Sequence, residues 1–191
     1  MLTIMADHTG PHSRPPAKAK QAVTTPPRTP PQLARLYARP GFLLRRAHQI
    51  SAAVFEDACS GLELTPAQFG VLTVVQAHPG LGQSSLARAL GFDKVTVLRV
   101  IRGLQGRGLV QRLPAEDNRR NVSVTLTDAG AELLQRAQKP AEKAYRRLMA
   151  PLNREQQEHL LELLQLLTGE LEDEARAAFV PPRAPASRQP A

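Results

Sequence analysis

Residues 83–127 read QSSLARALGFDKVTVLRVIRGLQGRGLVQRLPAEDNRRNVSVTLT. The stretch opens with a short helix that carries Leu86 and Leu90 and closes at Gly91. Asp93 then stands at the cap of a second helix, in which Val97, Val100, Ile101 and Leu104 recur at the spacing that buries one side. Gly106 and Gly108 permit a close passage into a first strand, Val110 to Leu113. A second strand follows at Val122 to Leu126, and Pro114-Ala115-Glu116-Asp117-Asn118 supplies the turn between them. Helix, turn, helix and hairpin in that order predict a winged helix-turn-helix: a mainly α fold with a small two-stranded wing.

The second helix has two unlike sides. Opposite its apolar stripe it presents Lys94, Val95, Thr96, Leu98, Arg99 and Arg102, while Gln83, Ser84 and Ser85 open the helix before it. Groove entry requires such a face, with amino-terminal residues near base edges and arginines on phosphate or guanine. A solvated charged face on an ordinary core helix would read the same. At the hairpin tip Asp117, Asn118, Arg119 and Arg120 have little to pack against, so the two arginines are either solvated or committed to an anion. Asp117 can orient one of them through a charge-assisted hydrogen bond.

Composition supports a polyanionic partner. Among 191 residues, 25 Lys and Arg oppose 17 Asp and Glu, a formal charge of +8 with a pI near 10.5, and 42% of residues are hydrophobic, enough for a real core. Aromatic residues are 4% and there is no Trp, against single-strand binding on stacked rings. No apolar run approaches the roughly 18 residues of a membrane span and no apolar signal core opens the chain, so neither membrane insertion nor Sec-type export is expected and the expected location is the cytoplasm. The single cysteine, Cys59, excludes an internal disulfide framework and a multi-cysteine zinc site.

The ends differ from the middle. Residues 1–38 are crowded with proline, including Pro11, Pro15, Pro16, Pro26, Pro27, Pro30 and Pro31, interleaved with Arg14, Lys18, Lys20 and Arg28. They read as a disordered basic arm unable to form a helix, either inert or touching DNA phosphates without sequence preference. Residues 179–191 read as a second disordered tail. The core domain is expected over 39–178.

Within it, Phe42, Leu43, Ala47, Ile50, Val54 and Ala58 mark a long amphipathic helix from Pro40 towards Gly61. Thr65 and Gln68 form a capping box around Pro66, ahead of a buried stripe of Phe69, Leu72 and Val75. Thr127 caps a helix through Leu133, Leu134, Ala137, Ala141, Tyr145 and Leu148, with a kink expected at Pro140. Asn153 caps the last helix, whose Leu160, Leu161, Leu163, Leu164, Leu166 and Leu167 are too many for a lone surface helix. Burial against a second copy is the expected solution, with 39–61 and 128–177 as dimerisation helices.

From about Pro40 to Glu174 the chain resembles the MarR family of bacterial transcription regulators. The likeness lies in its order of six helices, in RGLQGRGLV closing the recognition helix, in DNRR at the wing and in LTDAG opening the next helix. The resemblance implies a homodimer with two winged helix-turn-helix lobes on a pseudo-palindromic operator in double-stranded DNA, usually as a repressor. The family wing often reads Asp-any-Arg seven positions before a threonine. Counting from Thr127 puts Arg120 there with Asn118 in the Asp slot, while Asp117 and Arg119 satisfy the spacing one residue earlier. Both arginines therefore stand as candidates for the minor groove.

An enzyme is not expected, because no His-Glu-x-x-His, nucleophile elbow, phosphate loop or Cys-x-x-Cys is present and the histidines are scattered. No cofactor is called for, and no metal site, since no His, Asp and Glu cluster has ligand spacing. Cys59 reads as a small buried hydrophobe, with a redox-responsive regulator as the alternative. The resemblance also implies an effector pocket lined by the first, second and fifth helices of the core. Arg45, His48, Gln49 and Gln68 are expected to supply it, with Phe42 and Leu72 as walls, and an arginine beside a histidine suits an aromatic or heteroaromatic carboxylate. A ligand-independent regulator and a nonspecific architectural DNA-binding protein are the competing readings.

Overall fold

The computed structural model describes residues 30–114 and 122–182. The chain divides into two units at Arg39 and Pro40. In the first, α1 spans Pro31–Tyr37, a correction to the arm expected to hold no helix. Pro31 sits in the first turn, where its missing amide costs nothing, and the Gln-Leu-Ala-Arg-Leu that follows is favourable helix sequence.

The second unit contains, among the described residues, the six expected helices: α2 (Pro40–Ala58), α3 (Pro66–Ala77), α4 (Gln83–Ala89), α5 (Lys94–Gly106), α6 (Asp128–Met149) and α7 (Arg154–Glu170). Their starts are set locally. Thr65 and Gln68 exchange both capping-box bonds, at 3.3 and 3.1 Å, and Asn153 does the same with Gln156. Asp93 accepts from the amides of Val95 and Thr96, each at 2.8 Å. The α6 helix continues across Pro140, which has no amide to donate to the carbonyl of Arg136.

Strand β1 (Leu81–Gly82) pairs antiparallel with β3 (Val122–Leu126), which pairs in turn with β2 (Val110–Pro114), giving the order β1-β3-β2. The wing strands fall where the sequence places them; the third strand is an addition to the expected two. Burial on β3 is less regular than its alternation implies. Val124 is buried, and so is Ser123, whose hydroxyl donates to the carbonyl of Leu113 at 3.1 Å.

One core unites these elements. Val71, Leu72 and Val75 of α3, Leu86 of α4, and Val97, Ile101 and Leu104 of α5 meet Val124 and, from α6, Leu134 and Ala137. Each fully buried aliphatic side chain contributes about 1.5–3 kcal/mol. Cys59 joins this cluster at 1% exposure, and burial pushes its thiol above the ordinary value, which disfavours the reactive thiolate.

The TDAG sequence joins wing to helix. The amide of Thr127 donates to the carbonyl of Leu109 at 3.2 Å, and its hydroxyl donates to that of Gly108 at 2.7 Å while accepting from the amide of Gly130 at 3.1 Å. A Cβ at Gly130 would stand 2.0 Å from the Leu109 oxygen. Only glycine lets α6 lie against that turn.

Candidate nucleic-acid interface

Helix α5 separates its residues as groove entry needs. Val97, Ile101 and Leu104 are buried, whereas Lys94, Val95, Arg99 and Arg102 are exposed, Val95 to 66%. A large apolar side chain exposed to that extent at the first turn has no role in this chain's packing. It stands beside cations, as a side chain in contact with a thymine methyl would.

The other expected DNA-binding residues divide between free and committed. Ser84 is exposed; Ser85 and Leu98 are half-buried. Thr96 donates its hydroxyl to Asp93 at 2.7 Å, and this bond, followed by the amide bonds, holds the Asp93 carboxyl below the usual aspartate value. Gln83, with its amide oxygen turned to Arg112, accepts from Nε and Nη2 of that residue at 2.9 and 2.8 Å. This bond ties the start of α4 to β2, so Gln83 positions the motif. Asp117, Asn118, Arg119 and Arg120 lie outside the described residues.

Arg107 was not singled out by its sequence position. Its guanidinium donates to the carbonyls of Glu63 and Leu62, at 2.6 and 3.0 Å, and so fastens the end of α5 to the loop before α3. Glu63 has a left-handed φ of 49°, which presents its carbonyl from a tight turn.

The expected effector residues do not gather in one cavity. Arg45 and Arg46 both donate to Gln49 Oε1 at 3.2 Å, Arg45 lies 5.1 Å from the Phe42 ring centroid, and His48 is exposed. Gln68 is engaged in the α3 cap, and Leu72 is wholly buried in the core, so the wall residue expected at Leu72 is a core residue instead. A cleft of about 260 Å³ does open between α2, α3 and α6, the helices named for it. Its lining is Ser51, Phe55, Pro66, Phe69, Ala141, Ala144, Tyr145 and Leu148. Phe55 and Phe69 stand 5.4 Å apart at 56°. An adjoining hollow shares Phe69 and Tyr145 and adds Lys139, Glu142 and Arg146. Phe69 and Tyr145 were visible only as members of helical stripes; that they face one cleft is a property of the packing.

Among the described residues no three metal-ligating side chains cluster, and no helix is long and apolar enough to cross a membrane.

Comparison with known proteins agrees with this geometry. Residues 64–122 match the MarR family model. The HTH-type transcriptional repressor NicR of Pseudomonas putida is 37% identical over 94 residues, 49% of this chain, and the match spans 60% of that protein. A putative transcriptional regulatory protein for the hcr operon of Thauera aromatica is 30% identical over 128 residues, 66% of this chain and 77% of that one. Among solved structures, the repressor CouR bound to a 23-mer DNA duplex superposes with a TM-score of 0.65 at 33% identity, covering 71% of this chain and 96% of that one. Bordetella bronchiseptica BpsR, whose DNA binding is regulated by 6-hydroxynicotinic acid, gives 0.65 at 30% identity, over 69% and 94%. This chain belongs to the MarR family of DNA-binding transcription regulators, and its activity is regulatory rather than enzymatic.

Proposed function

We propose that the protein is a homodimeric repressor that grips a pseudo-palindromic operator and is released from it by a small aromatic or heteroaromatic acid. The observation that carries the DNA-binding half is the division of α5 between a buried Val97, Ile101 and Leu104 stripe and an exposed Lys94, Val95, Arg99 and Arg102 face. Arg119 and Arg120, in the sequence between β2 and β3, are the proposed backbone or minor-groove contacts.

The dimer rests on α7. None of its residues is buried within the chain, and Leu160, Leu161, Leu163, Leu166 and Leu167 stay 37–60% exposed. Leu43, Leu44 and Ile50 of α2 are exposed as well. Two such apolar faces on the terminal helices of the domain suit a two-fold interface, in which each copy covers the other.

The effector reading rests on the cleft between α2, α3 and α6. Phe55, Phe69 and Tyr145 offer rings to an aromatic ligand, and Lys139 and Arg146 at the adjoining hollow offer cations to a carboxylate. The regulation of BpsR by an aromatic acid supports the same ligand class here. A ligand wedged between α2 and α6 favours a spacing of the two recognition helices that fits the groove less well, and its differential affinity for the two states sets the size of the effect.

The test is a labelled duplex, selected by the full chain from a random pool, challenged with benzoates and pyridine carboxylates at fixed salt. Release by one of them, lost in Tyr145→Ala with binding retained, is the expected result. No release across the panel, with binding intact, leaves a ligand-independent regulator. Competition by excess random duplex as strong as by the selected one would make the protein an architectural binder instead.

A further inference from the structure

The segment after α7 turns back onto the helix-turn-helix. A 3-10 turn at Glu172–Glu174 reverses the chain, and the amide of Phe179 donates to Glu172 Oε1 at 2.6 Å. The next amide, that of Val180, donates to the carbonyl of Arg88 at 2.9 Å. Arg88 lies in the last turn of α4, and its carbonyl, which also accepts from the Gly91 amide at 3.3 Å, has a second lone pair for the strap. The C-terminal segment is thus hydrogen-bonded to the last turn of the first helix of the DNA-binding motif, a connection not expected of a tail over 179–191.

This strap brings charge with it. Arg176 lines one groove together with Ser84 and Arg88 of α4 and Lys94 and Val95 of α5. Arg88, Lys94 and Arg176 come from three separate segments, and among the described residues none of them pairs with a carboxylate. The acid in the groove, Asp93, already accepts from two amides and the Thr96 hydroxyl. Three unpaired cations around one groove repel one another unless an anion lies among them. Within the strap Glu172, Asp173 and Glu174 precede Arg176, with Glu172 engaged by the Phe179 amide, and beyond it the sequence adds Arg183 and Arg188.

We propose that Arg176 is a DNA-backbone contact, carried by the C-terminal strap to the phosphates that pass the amino-terminal end of α5. The assignment rests on α5 being the recognition helix, since Lys94 and Val95 belong both to the reading face and to this groove.

The test is operator binding over a salt series, with the duplex that the full-length wild-type chain selects from a random pool. Arg176→Ala weakens binding by about 3- to 10-fold and lowers the slope of log affinity against log salt by about 0.9 for each bound chain. Random duplex loses affinity by the same factor, because a phosphate contact carries no sequence information. Val180→Pro, which removes the amide bonded to Arg88, reproduces the loss. Arg154→Ala deletes the same charge from α7 outside the groove and leaves the slope unchanged. An unaltered slope in Arg176→Ala, whether or not its melting temperature falls, overturns the proposal, and so does an equal effect from Arg154→Ala. If the wild-type chain selects no sequence at all, the recognition-helix reading fails first and this assignment falls with it.

Discussion

The lobe built from α3, α4, α5 and the sheet buries its apolar residues within one chain, whereas α7 leaves nearly all of its leucines outside. Val97, Ile101 and Leu104 are covered, and the charged residues that α5 exposes are all cationic; α7 exposes five of its six leucines. Both helices are amphipathic, yet their unburied faces call for different partners. A face of arginine and lysine is stable in water and gains from a polyanion, while a face of leucine gains from another apolar surface. One half of the domain is complete as a fold; the other, in the proposed dimer, is completed by a second copy.

Breaking the apolar half gives the largest effect. Leu163→Ser with Leu166→Ser removes two side chains whose burial between copies is worth about 1.5–3 kcal/mol each, in both subunits, and sedimentation should then give a species near 20.8 kDa. A double variant that sediments as the wild type does places the interface elsewhere.

Gly130→Ala strikes the join between the halves. Its Cβ would meet the Leu109 carbonyl oxygen, a backbone atom that cannot move aside without shifting β2. The expected loss is about 3 kcal/mol in denaturant unfolding, and an unchanged midpoint would mean that the turn relaxes freely.

On the polar half the losses are smaller and leave the fold intact. Arg99→Ala should cost about 1–3 kcal/mol in operator affinity if the guanidinium reads a base, with no change in melting temperature. A uniform loss on specific and random duplex alike would make it a phosphate contact. Thr127→Ala, which removes the α6 cap and the bond to Gly108, should cost about 1 kcal/mol of stability.

The smallest effect concerns pH. Asp93 titrates below the ordinary aspartate value in the folded chain because the Thr96 hydroxyl, then the amides, bind its charged form. Its contribution is therefore present above the unfolded value of about 3.9 and fades as pH falls through the folded value. Melting temperatures of wild type and Asp93→Asn should converge in acid; a gap that widens there reverses the sign.

What was legible in the sequence was local. Thr65, Asp93, Thr127 and Asn153 announce their helices because a cap and the amides it serves lie within three residues. Proline misled at α1, since its abundance hides that Pro31 occupies the one helical turn that tolerates it. Tertiary features left no local trace: β1 is two residues long and owes its existence to Ser123 and Val124 across the fold. The Arg107 clamp reaches 44 and 45 positions back along the chain. The cleft lining has the same origin. Ser51 and Phe55 of α2 come against α3 and α6 through packing, while Arg45 and His48, earlier on the same helix, are exposed.

The most direct measurement is hydroxyl-radical footprinting of the full chain on its selected duplex, with the stoichiometry of the same complex measured alongside. Two chains protecting two related half-sites about one helical turn, roughly 34 Å, apart is the result expected of a two-fold reader. A single protected segment occupied by one chain would contradict it.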